Sequence, residues 1–60
     1  IHVVADAIME TVKVYSTSGS LCITETPASE SAIINAGDLK GIYVVEVQTA
    51  GSVKRAKVRL

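Results

Sequence analysis

The stretch from Asp38 to Val47, Asp-Leu-Lys-Gly-Ile-Tyr-Val-Val-Glu-Val, limits the possible folds most, because turn chemistry meets strand chemistry in it. Asp38 and Gly41 supply turn-compatible backbone. A β-branched run follows from Ile42 to Thr49, with Tyr43, Val45 and Val47 on one face and Glu46 and Gln48 on the other. The pattern predicts a corner feeding a core strand with Tyr43 buried. In β-sandwiches a tyrosine so placed turns its hydroxyl back to the upstream backbone and pins the corner.

The rest of the chain must cover that strand with little material. Sixty residues make one domain at most, and a domain this short buries only about 60% of the surface its unfolded chain exposes. The apolar fraction is 48%, with no tryptophan or phenylalanine, so the core has to be aliphatic. The single cysteine, Cys22, excludes an internal disulfide, and one histidine with one cysteine cannot furnish a zinc site. Six basic and six acidic residues cancel, which leaves no whole-chain field to attract nucleic acid or an anionic membrane.

Read in order, Ile1 to Val4 predicts a short first strand, broken at Ala5 to Ala7 by a turn at Asp6. Ile8, Val12 and Val14 share a parity opposite Thr11, Lys13 and Tyr15, as in a half-buried second strand with Tyr15 exposed. Glu10 interrupts that face and belongs at the strand's start, since an unpaired buried carboxylate is costly. Ser16-Thr17-Ser18-Gly19 is a turn into Leu21 to Thr26, giving a hairpin. Pro27 to Glu30 reads as a loop and Ser31 to Asn35 as a fourth strand, with Ala32 and Ile34 inward. Ala50-Gly51-Ser52 is a tight turn before the last strand, Val53 to Leu60. There Ala56, Val58 and Leu60 face in, while Val53, Arg55, Lys57 and Arg59 face out as a cationic row.

Short strands separated by turn signals at intervals of about eight to twelve residues predict an all-β fold: a small immunoglobulin-like antiparallel β-sandwich of about six to seven strands. The chain opens inside a strand pattern with no initiator methionine and no basic, apolar leader. It therefore reads as a single domain, residues 1–60, excised from a longer secreted protein. An abrupt first strand also suggests an open edge, and with it a homodimer paired through an edge strand.

The chemistry inventory is short. His2 lacks a nucleophile elbow or triad context and reads as a surface strand residue. Cys22 has no cationic neighbour in sequence to activate it and reads as a small buried hydrophobe. Glu25 and Glu30 flank Pro27 as solvated charges rather than an acid/base pair. The glycines at 19 and 41 open no helix that would make a phosphate loop. Lys54, Arg55, Lys57 and Arg59 have no interleaved aromatic for base stacking, so the plain reading is an edge strand guarded by charge. No cofactor, metal or nucleic-acid site is expected.

Ile8 and, after it, three segments taken in order carry a resemblance. The segments are Val12-Lys13-Val14-Tyr15-Ser16-Thr17-Ser18-Gly19, then Asp38-Leu39-Lys40-Gly41-Ile42-Tyr43-Val44-Val45-Glu46-Val47, then Lys54-Arg55-Ala56-Lys57-Val58 running to Leu60. Their order over almost the whole chain resembles the C-terminal sorting domain of the type IX (Por) secretion system, type A, of Bacteroidetes. That family shows a V-x-V-Y-D-x-x-G hairpin, an L-x-x-G-x-Y-x-V-x-V corner and a basic last strand. Gly19, Leu39, Gly41 and Tyr43 match the structural motif positions. The chain departs at Ser16, where the family has aspartate, at Ser20, where arginine is common, and in lacking the Y-P-N-P segment before the first strand.

The resemblance implies a sorting tag and not an enzyme. Such a domain rides behind an upstream cargo domain and crosses the periplasm. It is read by the outer-membrane translocon and handed to the sorting and cleavage machinery at the cell surface. Lys54, Arg55, Lys57, Val58 and Arg59 become the candidate translocon-recognition residues. The other reading is an immunoglobulin-like accessory or adhesion module of a secreted enzyme.

Overall fold

The computed structural model describes residues 1–37 and 39–60. Their strands are β1 (His2–Ser16), β2 (Leu21–Glu25), β3 (Ser29–Ile33), β4 (Ile42–Thr49) and β5 (Val53–Arg59). All pair antiparallel in one open sheet in the order β2-β1-β4-β5, with β3 also on β1, and no helix is present among the described residues. The all-β expectation holds; the expected count of six to seven strands does not. Ile1–Val4 and Ile8–Tyr15 were expected as two strands split by a turn at Asp6, yet they form one strand.

The break expected at Asp6 survives as an irregularity inside β1. Val4 pairs with Ser31 and Met9 with Ser29, so Ala5 to Ile8 stand opposite Glu30 alone. A second irregularity lies at Glu10: Met9 pairs with Thr49 and Thr11 with Gln48, leaving Glu10 without a partner on β4. An extra residue of this kind shifts side-chain parity by one. The inward set of β1 therefore changes from Ile1, Val3, Ala5 and Met9 to Val12 and Val14. This corrects the expectation for Ile8, which is 54% exposed, while Met9 is fully buried in its place. The carboxylate of Glu10 stays exposed, as its cost of burial requires.

β2 and β3 lie along the same edge of β1, one after the other. Val12 pairs with Glu25, the amide of Ala28 donates to the carbonyl of Met9 at 3.0 Å, and Met9 then pairs with Ser29. Ladder pairing thus resumes two residues earlier than expected, since Ser29 and Glu30 belong to β3 and not to a loop. Pro27, which has no N–H to donate, falls in the gap.

The core is Met9, Val12, Val14, Ile34 and Val45, with Tyr43, Val47, Val58, Ala32 and Ile23 packed around it. Fully burying one such aliphatic side chain contributes about 1.5–3 kcal/mol. The parity expected for β4 and for Ala32 and Ile34 is therefore correct. Tyr15 departs from expectation: it is half-buried, because Leu21 and Val44 flank it as cross-strand neighbours on the outer face. Cys22 is exposed and not buried. Val14 pairs with Ile23 and Tyr15 with Leu21, so Cys22 is the unpaired residue of a bulge and escapes the alternation.

Both expected hairpin turns are present. Gly19 has φ +92° and its amide donates to the Ser16 carbonyl at 3.0 Å, closing the β1–β2 turn. The Thr49 amide donates to the Ser52 carbonyl at 2.9 Å, closing the β4–β5 turn. Asp38, expected to open the corner, lies outside the described residues. Gly41 has φ +104°, a backbone that L side chains rarely adopt.

Candidate recognition surface

β5 pairs with β4 on one side, and its other side is open among the described residues. The register is Ile42 with Arg59, Tyr43 with Val58, Val44 with Lys57, Val45 with Ala56, Glu46 with Arg55 and Val47 with Lys54. Past the strand end, Gly41 and Leu60 exchange both backbone hydrogen bonds. Antiparallel ladders alternate bonded and non-bonded pairs. Tyr43–Val58 and Val45–Ala56 are accordingly bonded pairs, and Arg59, Lys57 and Arg55 turn their N–H and C=O groups away from β4. The residues of the cationic row thus also present the unpaired backbone of the sheet edge.

The structure sorts the five candidate recognition residues into different situations. Lys57 and Arg59 are exposed on the outer face, opposite Val44 and Ile42. Arg55 belongs to the same row but is engaged: its Nε donates to Oε2 of Glu46 at 2.7 Å. Glu46 also has Lys13 as its cross-strand neighbour on β1, so it stands between two cations. Lys54 is exposed but has the inward parity of Ala56 and Val58. Val58 is half-buried against the core beside Tyr43 and positions the strand.

Reading the residues alone missed an apolar strip on the same outer face. Leu21 is 53% and Ile42 45% exposed. Tyr15 and Val44 lie between them, half-buried, and Lys57 is the cross-strand neighbour of Val44. The strip was legible in principle, because Tyr15, Val44 and Ile42 all carry the parity opposite the core strand residues. It interrupts the polar surface that such a face usually presents.

Three of the four motif residues, Leu39, Gly41 and Tyr43, meet at the corner. Leu39 and Tyr43 pack against the core, and Gly41 makes the bend between them. The Leu39 amide donates to the Ala36 carbonyl at 3.1 Å, and the Gly37 amide to Oδ1 of Asn35 at 3.0 Å, which orders the approach. Among the described residues the Tyr43 hydroxyl has no hydrogen-bond partner. The Gly41–Leu60 pair ties the corner to the end of β5. Gly19 lies apart, in the β1–β2 turn. His2 is exposed on β1. No group of three or more metal-ligating side chains occurs among the described residues.

Compared with family models, curated proteins and solved structures, the chain matches none.

Proposed function

We propose that this chain is a C-terminal sorting domain of the type IX kind, a non-enzymatic tag that directs an attached cargo through an outer-membrane translocon to the cell surface. The observation that carries the reading is the state of β5. It is an edge strand whose Lys57 and Arg59 side chains and outward backbone groups have no partner among the described residues. A receptor meets such an edge by adding a strand to it, with acidic side chains opposite the cations. The tie between Gly41 and Leu60 supports the reading further, since it fixes the end of this strand to the glycine-tyrosine corner.

The chain at the start of β1 and at the end of β3 shares a core with β4: Ile1, Val3, Ala32 and Val47 pack against the cluster that holds Ile34 and Val45. We take this sheet as an immunoglobulin-like sandwich reduced to its smallest form, with the irregularity at Glu10 standing in for a sheet-to-sheet connection.

The test is secretion of a reporter carrying the chain at its C-terminus, in a bacterium that has the translocon. Deleting Val53 to Leu60 should strand the reporter in the periplasm. Replacing Lys57 and Arg59 with glutamine leaves the inward Val58 in place and should cost at most about 0.5 kcal/mol per site, while reducing the surface-exposed fraction. A reporter that reaches the surface as well without the last strand as with it excludes the sorting reading and favours an accessory or adhesion module.

A further inference from the structure

A cleft of about 630 Å³ lies between the N-terminal part of β1 and the inward face of β4 and β5. Val45, Val47, Ala56 and Val58 form its apolar side, and Ile1, Val3 and Ala5 face it from β1. β4 pairs with β1 only from Met9 onward, so the β1 edge from Ile1 to Ile8 that continues past β4 has no partner among the described residues.

The hydrogen-bond phase shows what that edge offers. The amide of Ile34 donates to the carbonyl of Ile1 at 2.7 Å, and the amino terminus of Ile1 donates to the carbonyl of Ile34 at 2.8 Å. Ile1–Ile34 is thus a bonded pair. By alternation His2–Ile33 and Val4–Ser31 are non-bonded pairs, which turns the N–H and C=O groups of His2 and Val4 away from β3. Their side chains point away from the core and are exposed. Both residues nonetheless border the cleft, as backbone turned toward it requires.

Asp6, Lys54, Arg55 and the amino terminus of Ile1 border the cleft, and the last donates to the carbonyl of Ile34. The parity of Asp6 follows His2 and Val4, placing the carboxylate on the opposite face of β1. Arg55 has the outward parity and is paired with Glu46. Lys54 alone among the bordering charged side chains shares the face of Ala56 and Val58, and no salt bridge engages it among the described residues. An unpaired strand edge, an apolar side and one inward-facing cationic side chain together define a ligand.

We propose that this cleft binds an extended segment of another polypeptide, which adds as a strand to β1 through the backbone of His2 and Val4. It carries aliphatic side chains at alternate positions against Val45, Val47, Ala56 and Val58, and an acidic side chain in the same alternation that meets Lys54. The site lies on the opposite side of the sheet from Lys57 and Arg59 and does not depend on the sorting reading.

The probe is the peptide acetyl-Thr-Val-Thr-Val-Thr-Glu-Thr-amide, whose valines and glutamate lie on one face of a strand. Titrated into the 60-residue protein and followed by NMR, it should shift the amides of His2 and Val4 and the methyl groups of Val47 and Ala56. The same peptide with lysine for glutamate should bind at least about tenfold more weakly, and Lys54→Glu should reverse that preference. N-methylation of alternate peptide amides, which leaves the protein untouched, should abolish binding. Val4→Pro removes the outward N–H at an edge position that tolerates proline and should do the same in a protein that still unfolds cooperatively. Three results would each overturn the proposal: no shifts at millimolar peptide, equal binding of the N-methylated peptide, or concentration-dependent shifts of the same amides without peptide. The last would mean that a second copy of the chain occupies the edge.

Discussion

Gly41 and Leu60 exchange both of their backbone hydrogen bonds, the amide of Gly41 to the carbonyl of Leu60 at 3.2 Å and the amide of Leu60 to the carbonyl of Gly41 at 2.8 Å. The corner that starts β4 is thereby bonded to the residue that follows β5. A backbone change at Gly41 must consequently be felt along the edge that the proposed receptor reads.

Gly41→Ala should lower stability by about 1–2 kcal/mol. A Cβ there would meet nothing within 4 Å, so the whole cost lies in the φ of +104° and none in a clash. Chemical denaturation checks the figure. D-alanine at position 41, introduced by synthesis, should remove most of the penalty because it favours positive φ; equal destabilisation by both enantiomers would contradict the strain account.

The parity change at Glu10 makes neighbouring residues behave differently. Met9→Ala should cost about 2–5 kcal/mol, as much as a domain of this size commonly has in total, and leave little folded protein. Ile8→Ala should fall within about 0.5 kcal/mol, because Ile8 is 54% exposed. Comparable losses at the two positions would place the bulge elsewhere.

How far the sequence was legible follows from the same bulges. β4 and β5 could be read because turn residues bracket them and no extra residue disturbs their pairing, and the β1–β2 turn was marked by Ser16 to Gly19. Ile8 reads as core when a strict period of two is carried across Glu10, and Cys22 reads as core because no cation flanks its thiol; an unpaired residue in the strand overturns each reading. The split of β1 at Asp6 was over-read: polar and small residues from Ala5 to Ala7 loosen pairing with β3 without ending the strand. The ion pair of Glu46 with Arg55 was within reach, since placing the turn at Ala50-Gly51 sets those residues opposite each other. The cleft was not, because it depends on how far β4 extends along β1.

Cys22 offers a direct check on the β2 bulge. An exposed thiol on an unpaired residue should react with a maleimide in the folded protein at nearly the rate found in denaturant. Protection of several orders of magnitude would put it back in the core. Reducing conditions should leave stability unchanged, as the chain has one cysteine to offer.

The Glu46–Arg55 pair is solvent-exposed on the arginine side, where the side chain is 67% accessible. A double-mutant cycle with Glu46→Gln and Arg55→Gln should return a coupling of about 0.2–1 kcal/mol, reduced by salt. A coupling near zero at low salt would mean that Arg55 is as available to a receptor as Lys57 and Arg59.

Sufficiency is the most direct test of the sorting account. The 60 residues are fused behind a periplasmic fluorescent protein in a bacterium with a type IX translocon, and surface-accessible fluorescence is measured with and without a functional translocon. The account predicts fluorescence at the cell surface only when the translocon works, and retention in the periplasm when Val53 to Leu60 are removed. Retention of the intact fusion in the periplasm, with the domain folded and the translocon exporting its own cargo, would contradict it.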